Sequence, residues 1–378
     1  MALPVVQTRP SRRFSRVLSF CCIFAALLSL CSCSQKPSKD PNEKMNRLNL
    51  FLDNEGVERI PAKGFKFPSL IDATELLSTT VATDLTAELS RGKNVVYCAT
   101  YKFAKAFENR TTIGQGIPTS AEGIADELPA ESYRILDGTP EDIRSQLAEG
   151  FPSTAESLDF LGGEEQWWCC HFQRSLPFLE AFERLKEPLA FQSSEGTLNV
   201  ACFGDLRFEE YSVQQTLRKE QIAVIDFQGE DDFIVRLNTV VNEDELILAK
   251  VHPDESLEST LESVMRRVKN NPLEGSEQSE IRDGEALVVP MLTVNLLKWF
   301  SDMPPGFQTI RFRLDERGAE LDSFLGYSSL GSDIVLRQMV FDKPFLLYLK
   351  SKTAEAPYFV LWVENLEVME EFSAETED

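Results

Sequence analysis

The sequence predicts an α+β fold in which mixed β-sheets are surrounded by helices, and three observations carry that expectation. Ile310, Phe312 and Leu314 alternate with Arg311 and Arg313, the period-two pattern of a strand buried on one face. Two apolar runs, Pro344 to Leu349 and Pro357 to Val363, are separated only by Lys350 to Ala356 and read as a hairpin near the C-terminus. Leu77, Val81, Leu85 and Leu89 recur every four residues, so helices accompany the strands.

The chain has 378 residues, a length that suits one large domain or two small ones, and its net charge of −23 argues against nucleic acid as a partner. With 43% hydrophobic residues the acidity describes a solvated surface, not disorder. Arg9, Arg12, Arg13 and Arg16 precede the apolar run Val17 to Leu30, which is short for a membrane span but suits a signal peptide. The run ends in Leu30-Cys31-Ser32-Cys33, similar to a bacterial lipobox. That resemblance implies cleavage after residue 32 and lipidation of Cys33, while an unmodified secretory signal or a short anchor is the plainer alternative. Residues 33–64 then form the lipidated end and a polar tether, 65–373 the folded domain, and 374–378 an acidic tail. Removing residues 1–32 takes away four arginines and no acid, so the charge falls from −23 to −27 and repels anionic headgroups. The lipid, not the protein face, is then the expected attachment to a bacterial envelope outside the cytoplasm.

Taken in order, Ile71 to Arg91 is expected to form an amphipathic helix, Val95 to Cys98 a short buried strand, and Tyr101 to Phe107 a second helix. Thr139 starts a helix over Pro140 to Glu149 that Gly150 stops. Trp167 to Phe172 fits either a buried strand or a helix face. Strands follow at Leu189 to Phe191 and Leu198 to Phe203, and a hairpin joins Ile222 to Phe227 with Phe233 to Leu237 across Gln228-Gly229-Glu230. Glu245 to Val251 and Ala286 to Val294 read as further strands, with a helix from Ser256 to Val268 between them.

The residues offer little catalytic chemistry. There is no Gly-x-Ser-x-Gly elbow, no His-Glu-x-x-His and no phosphate-cradling glycine loop, and the two histidines, His171 and His252, permit few nucleophile and base pairs. Cys169-Cys170-His171 invites a metal reading but lacks further ligands at suitable spacing, so neither metal nor cofactor is expected. Cys98, Cys169, Cys170 and Cys202 remain after the leader and are read as buried free thiols, with one disulfide as the alternative. Glu230-Asp231-Asp232 reads as a solvated acidic face.

The C-terminal residues resemble those of the serpin family. The acidic turn Asp315-Glu316-Arg317-Gly318-Ala319, then Lys343-Pro344-Phe345, then a final hairpin ending Val363-Glu364-Asn365 follow that family's order, and 26 positions separate Gly318 from Pro344. Near the other end, Asn94 leading Val95-Val96-Tyr97 is similar to the family's Asn-led strand, although Cys98 to Tyr101 stand where its Ser-Pro-x-Ser turn would be. The resemblance implies an exposed reactive-centre-type loop hinged at Glu316, Gly318 and Ala319, a scissile bond near Ser332 and Asp333, and a middle section shorter than the family's by about fifty residues. It implies no enzyme. It implies a monomer that inhibits a serine or cysteine protease, or a non-inhibitory envelope lipoprotein that keeps the scaffold to bind another protein. Leu321, Phe324, Leu325 and Tyr327 are bulkier than the small residues that rapid loop insertion into a sheet requires, which weighs toward the second possibility.

Overall fold

A computed structural model describes residues 69–102, 133–148, 155, 158–206, 213–271, 273, 276–300, 306–318 and 337–372. The chain divides into two units, Met1–Lys44 and Met45–Asp378, and all the described residues belong to the second. In chain order the elements are β1 (Ile71–Asp72), β2 (Thr79–Ala82), β3 (Asn94–Cys98), β4 (Tyr133–Gly138), helix α1 (Pro140–Ala148), β5 (Trp167–Phe172), β6 (Glu183–Arg184), β7 (Leu189–Ser193), β8 (Gly196–Val200) and β9 (Cys202–Asp205). Helix α2 (Val213–Glu220), β10 (Ile222–Gly229), β11 (Asp232–Leu237), β12 (Asp244–Lys250) and helix α3 (Leu257–Asn270) follow. The chain ends with β13 (Ala286–Pro290), β14 (Leu292–Phe300), β15 (Gly306–Leu314), β16 (Gln338–Val340), β17 (Phe345–Ser351) and β18 (Phe359–Val363).

The architecture is α+β, with several mixed sheets and few helices. Among the described residues, seven strands form one sheet in the order β10-β11-β12-β17-β18-β3-β2. The C-terminal hairpin thus sits between the middle of the chain and its N-terminal strands, with Leu361 opposite Val96 and Leu248 opposite Leu347. A four-stranded sheet runs β16-β13-β9-β6, a three-stranded one β1-β14-β15, and β4-β5 and β7-β8 form two pairs.

Sequence explains why the hairpin is central. β18 is apolar at every position and buried at every position, as a strand covered on both faces must be. Trp362, Tyr348 and Tyr358 are the largest fully buried side chains, and burying each such residue contributes about 1.5–3 kcal/mol or more. The hairpin is then tied to the N-terminal strands by polar groups. Asn94 is fully buried; its Oδ1 accepts from the amides of Glu364 (2.7 Å) and Asn365 (2.9 Å), and its Nδ2 donates to Thr79 Oγ1 (3.0 Å) and Asn365 Oδ1 (2.7 Å). Asn365 Nδ2 in turn donates to the carbonyls of Ser78 and Gly92. Every hydrogen-bonding site of the Asn94 amide is used, which is what its burial demands.

Two helices follow their sequence signals. Thr139 and Asp142 bond reciprocally ahead of α1, the Thr139 hydroxyl and amide holding the Asp142 carboxyl below the usual carboxylate range. Ser256 and Ser259 form the same box on α3, which ends at Asn271 in the left-handed region that asparagine tolerates.

Three expectations need correction. Ile71 to Arg91 is not a helix. Asp72 accepts from the Thr74 amide and hydroxyl, Asp84 does the same for Thr86, and these local turns divert the backbone before a helical ladder can form. The β-branched Thr79-Thr80-Val81 between them pairs in parallel with β3 instead. Ala286 to Val294 is not one strand but two, in different sheets, and Leu198 to Phe203 likewise divides into β8 and β9. Both breaks fall at one backbone junction: Met291 N donates to Ala201 O (2.8 Å), Ala201 N to Glu370 O (2.9 Å) and Glu370 N to Met291 O (3.0 Å). An unbroken apolar run hides such a change of sheet because it is buried on both sides of the break. Glu230-Asp231-Asp232 lies at the surface as expected, and within it Asp231 also pairs with Lys250 and Lys343 and Asp232 with Arg267. Of the expected helix from Tyr101, residues 100–102 are helical and the rest lies outside the described residues.

Trp167 to Phe172 resolves as a strand paired with β4, and its alternation separates the adjacent cysteines. Cys169 packs on a small cluster with Leu136, Ile143 and Leu147, whereas Cys170 packs on the main core. Their side chains therefore serve opposite faces, and the four described cysteines are free. Burial pushes the Cys169 and Cys202 thiols up to about 11 and the Cys170 thiol up to about 12, and it raises Cys98 as well. With about one thiolate per thousand or fewer at Cys169, Cys170 and Cys202 at mildly alkaline pH, native alkylation of these three should be slow and unfolding should make them react fully. Mass spectrometry of iodoacetamide-treated peptides checks this. Rapid native labelling of Cys170 would contradict it.

Candidate functional site

The candidate site is the pair of anchors on either side of residues 319–336. The N-terminal anchor is the turn that closes β15. Asp315 N donates to Gly318 O (2.9 Å) and Gly318 N to Asp315 O (3.2 Å), while Asp315 Oδ1 accepts from Arg317 N and Oδ2 lies 2.9 Å from Arg313 Nε. This turn rests on residues 176–182, where Phe178 N donates to Arg317 O (2.9 Å) and Phe182 N to Glu316 O (2.6 Å). Phe178 and Phe182 meet edge to face at 5.0 Å, and both pack on Phe203, so the supporting segment is itself part of the core. Gly318 has φ +107°, and a Cβ there would stand 2.6 Å from Leu176 O and 2.7 Å from Phe178 N. Only glycine fits both that dihedral and that approach.

The C-terminal anchor begins at Arg337. Its guanidinium forks onto the buried Glu285 carboxylate (2.7 and 2.6 Å) and also donates to the carbonyls of Gln278 and Glu280. The same group lies over the Phe227 ring at 5.9 Å. β16 follows, parallel to β13, with Gln338 opposite Ala286. Lys250, buried on β12, then holds the exit: its Nζ donates to Glu230 O (2.8 Å), Val340 O (3.0 Å) and Asp342 Oδ1 (2.6 Å) and lies 2.9 Å from Asp231 Oδ1. Lys343 completes the set at 2.6 Å from Asp231 Oδ2. Lys343 and Lys250 together hold the Asp231 carboxyl below its usual range.

Of the residues expected from sequence, Glu316 and Gly318 belong to the first anchor. Cys33, Ala319, Ser332 and Asp333 lie outside the described residues. Arg337, Glu285 and Lys250 were not expected. The available signal was a lysine inside the apolar run Leu246 to Val251, since a charged residue at a buried strand position needs a partner.

Chemically the arrangement fastens the chain on both sides of residues 319–336. His252 Nδ1 stands 3.2 Å from Pro253 O, burial together with the Arg134 charge lowers His171 to about 4, and among the described residues no group of His, Cys, Asp and Glu is placed to hold a metal.

No family model matches the chain, and no curated protein matches it in sequence. Among solved structures it is similar to a highly specific serpin from the insect Tenebrio molitor, at 12% identity and TM-score 0.36 over 71% of this chain and 86% of that one. It is also similar to human glycosylated kallistatin (14% identity, TM-score 0.39, 59% of this chain and 62% of that one). A third likeness is to thyroxine-binding globulin in complex with thyroxine (10% identity, TM-score 0.37, 72% and 74%).

Proposed function

We propose that this chain is a serpin-like, non-enzymatic protein that offers residues 319–336 to a protein partner, a protease being the first candidate. The observation that carries the reading is the double anchorage. Eighteen residues connect Gly318, seated against residues 176–178, to Arg337, clamped on Glu285, and they lead from the end of one sheet to the start of another. A segment held at both ends by a rigid body is suited to recognition. The strand order supports the same reading, because the final hairpin lies against the Asn94-led strand whose residues carry the family resemblance. Export and a lipid on Cys33, which would place the protein in a bacterial envelope, complete the proposal and rest on the leader sequence.

A second reading, recognition without inhibition, is favoured by a particular observation. β15 belongs to a sheet of three strands among the described residues, and the segment that would join it carries Leu321, Phe324, Leu325 and Tyr327. Incubation with a panel of serine and cysteine proteases separates the two. A covalent, denaturant-resistant complex supports inhibition; clean cleavage between Gly326 and Arg337 without a complex supports recognition alone; no cleavage there by any protease overturns the bait.

A further inference from the structure

The turn that closes β15 holds a carboxylate that its surroundings serve on one oxygen only. Glu316 is almost completely buried, its Oε2 has no hydrogen-bond partner among the described residues, and Arg317 Nε comes only within 3.8 Å of Oε1. Three carboxylates and three guanidinium groups meet here. Arg313, from β15, goes to Asp315 (2.9 Å) and reaches Glu370 of the C-terminal segment at 3.6 Å; Arg184, from β6, goes to Glu370 (2.8 Å). Glu316 keeps its own backbone amide and the more distant charges of Arg184 and Arg317, with Asp315 as its sequence neighbour. The supporting segment carries one more carboxyl, Glu180, whose charged neighbour is Arg218.

We propose that Glu316 is a proton-operated fastener: as a carboxylic acid it tightens the hold of residues 176–182 on the turn Asp315 to Gly318, and as a carboxylate it loosens that hold. The geometry gives the direction. The Glu316 carbonyl accepts the Phe182 amide and the Arg317 carbonyl accepts the Phe178 amide, so the seated turn keeps the side chain in its dry position. A charge there pays desolvation with little in return. Burial, and after it the Asp315 charge, raise the Glu316 carboxyl above its usual range. The seated turn therefore binds the proton more tightly than the loosened one. Its extra hold is complete below the ordinary carboxylate value and is lost as pH rises through the raised one. This inference does not depend on what residues 319–336 recognise.

Hydrogen exchange at the Phe178 and Phe182 amides of the full chain, corrected for the intrinsic rate at each pH, tests it. As pH rises from the ordinary carboxylate range, protection at these two amides should fall, by at most about tenfold per unit within the titration window. Glu316→Gln should give high protection that no longer depends on pH, and Glu180→Gln should keep the wild-type slope. A wild-type protection that is flat with pH overturns the proposal, whether or not either variant folds. So does a slope that survives in Glu316→Gln or disappears in Glu180→Gln.

Discussion

Replacing Asn94 with alanine is expected to lower stability by roughly 3–5 kcal/mol, because it strands several buried groups at once. The amides of Glu364 and Asn365 lose their acceptor, and Asn365 Oδ1 loses the donor that reaches it at 2.7 Å. Asn365 cannot turn its side chain to compensate, since its Nδ2 is committed to Ser78 O and Gly92 O. Asn94→Asp keeps the acceptor but sets a carboxylate oxygen against Asn365 Oδ1, so it should recover part of the loss. Urea unfolding of both variants checks the order wild type, aspartate, alanine. Equal stability for alanine and wild type would mean that the two ends of the chain are not joined through this amide.

Arg337→Ala is expected to cost about 3–5 kcal/mol for a different reason: it leaves the Glu285 carboxylate buried without its countercharge. Two carbonyls, of Gln278 and Glu280, lose a donor as well. Lysine cannot replace the fork, so Arg337→Lys should remain well below wild type. Pairing Arg337→Met with Glu285→Leu removes both charges together and should recover most of the stability lost in Arg337→Ala. A double-mutant cycle by thermal or urea unfolding measures this coupling. Additive losses would indicate that the two side chains act independently.

How much of this could be read from residues alone varies along the chain for physical reasons. The final hairpin and the β10-β11 hairpin are legible because short apolar runs flank a turn. The segment 71–91 misleads because its four-residue spacing is real but Asp72 and Asp84 spend the backbone on turns. The junction of Ala201, Met291 and Glu370 leaves no trace, since its bonds are backbone to backbone and any side chain would serve. At the candidate site, glycine at 318 signals a special dihedral, so the first anchor is half visible. The second is not, because Arg337 resembles any surface arginine until Glu285 is found buried beside it 52 positions away in sequence.

Mapping the first bond cut under native conditions tests the central claim most directly. Brief digestion of the folded protein with several unrelated proteases, followed by mass spectrometry of the fragments, should place the earliest cleavage between the two anchors, within residues 319–336. Early cuts that fall consistently elsewhere, with that stretch intact, would contradict the account.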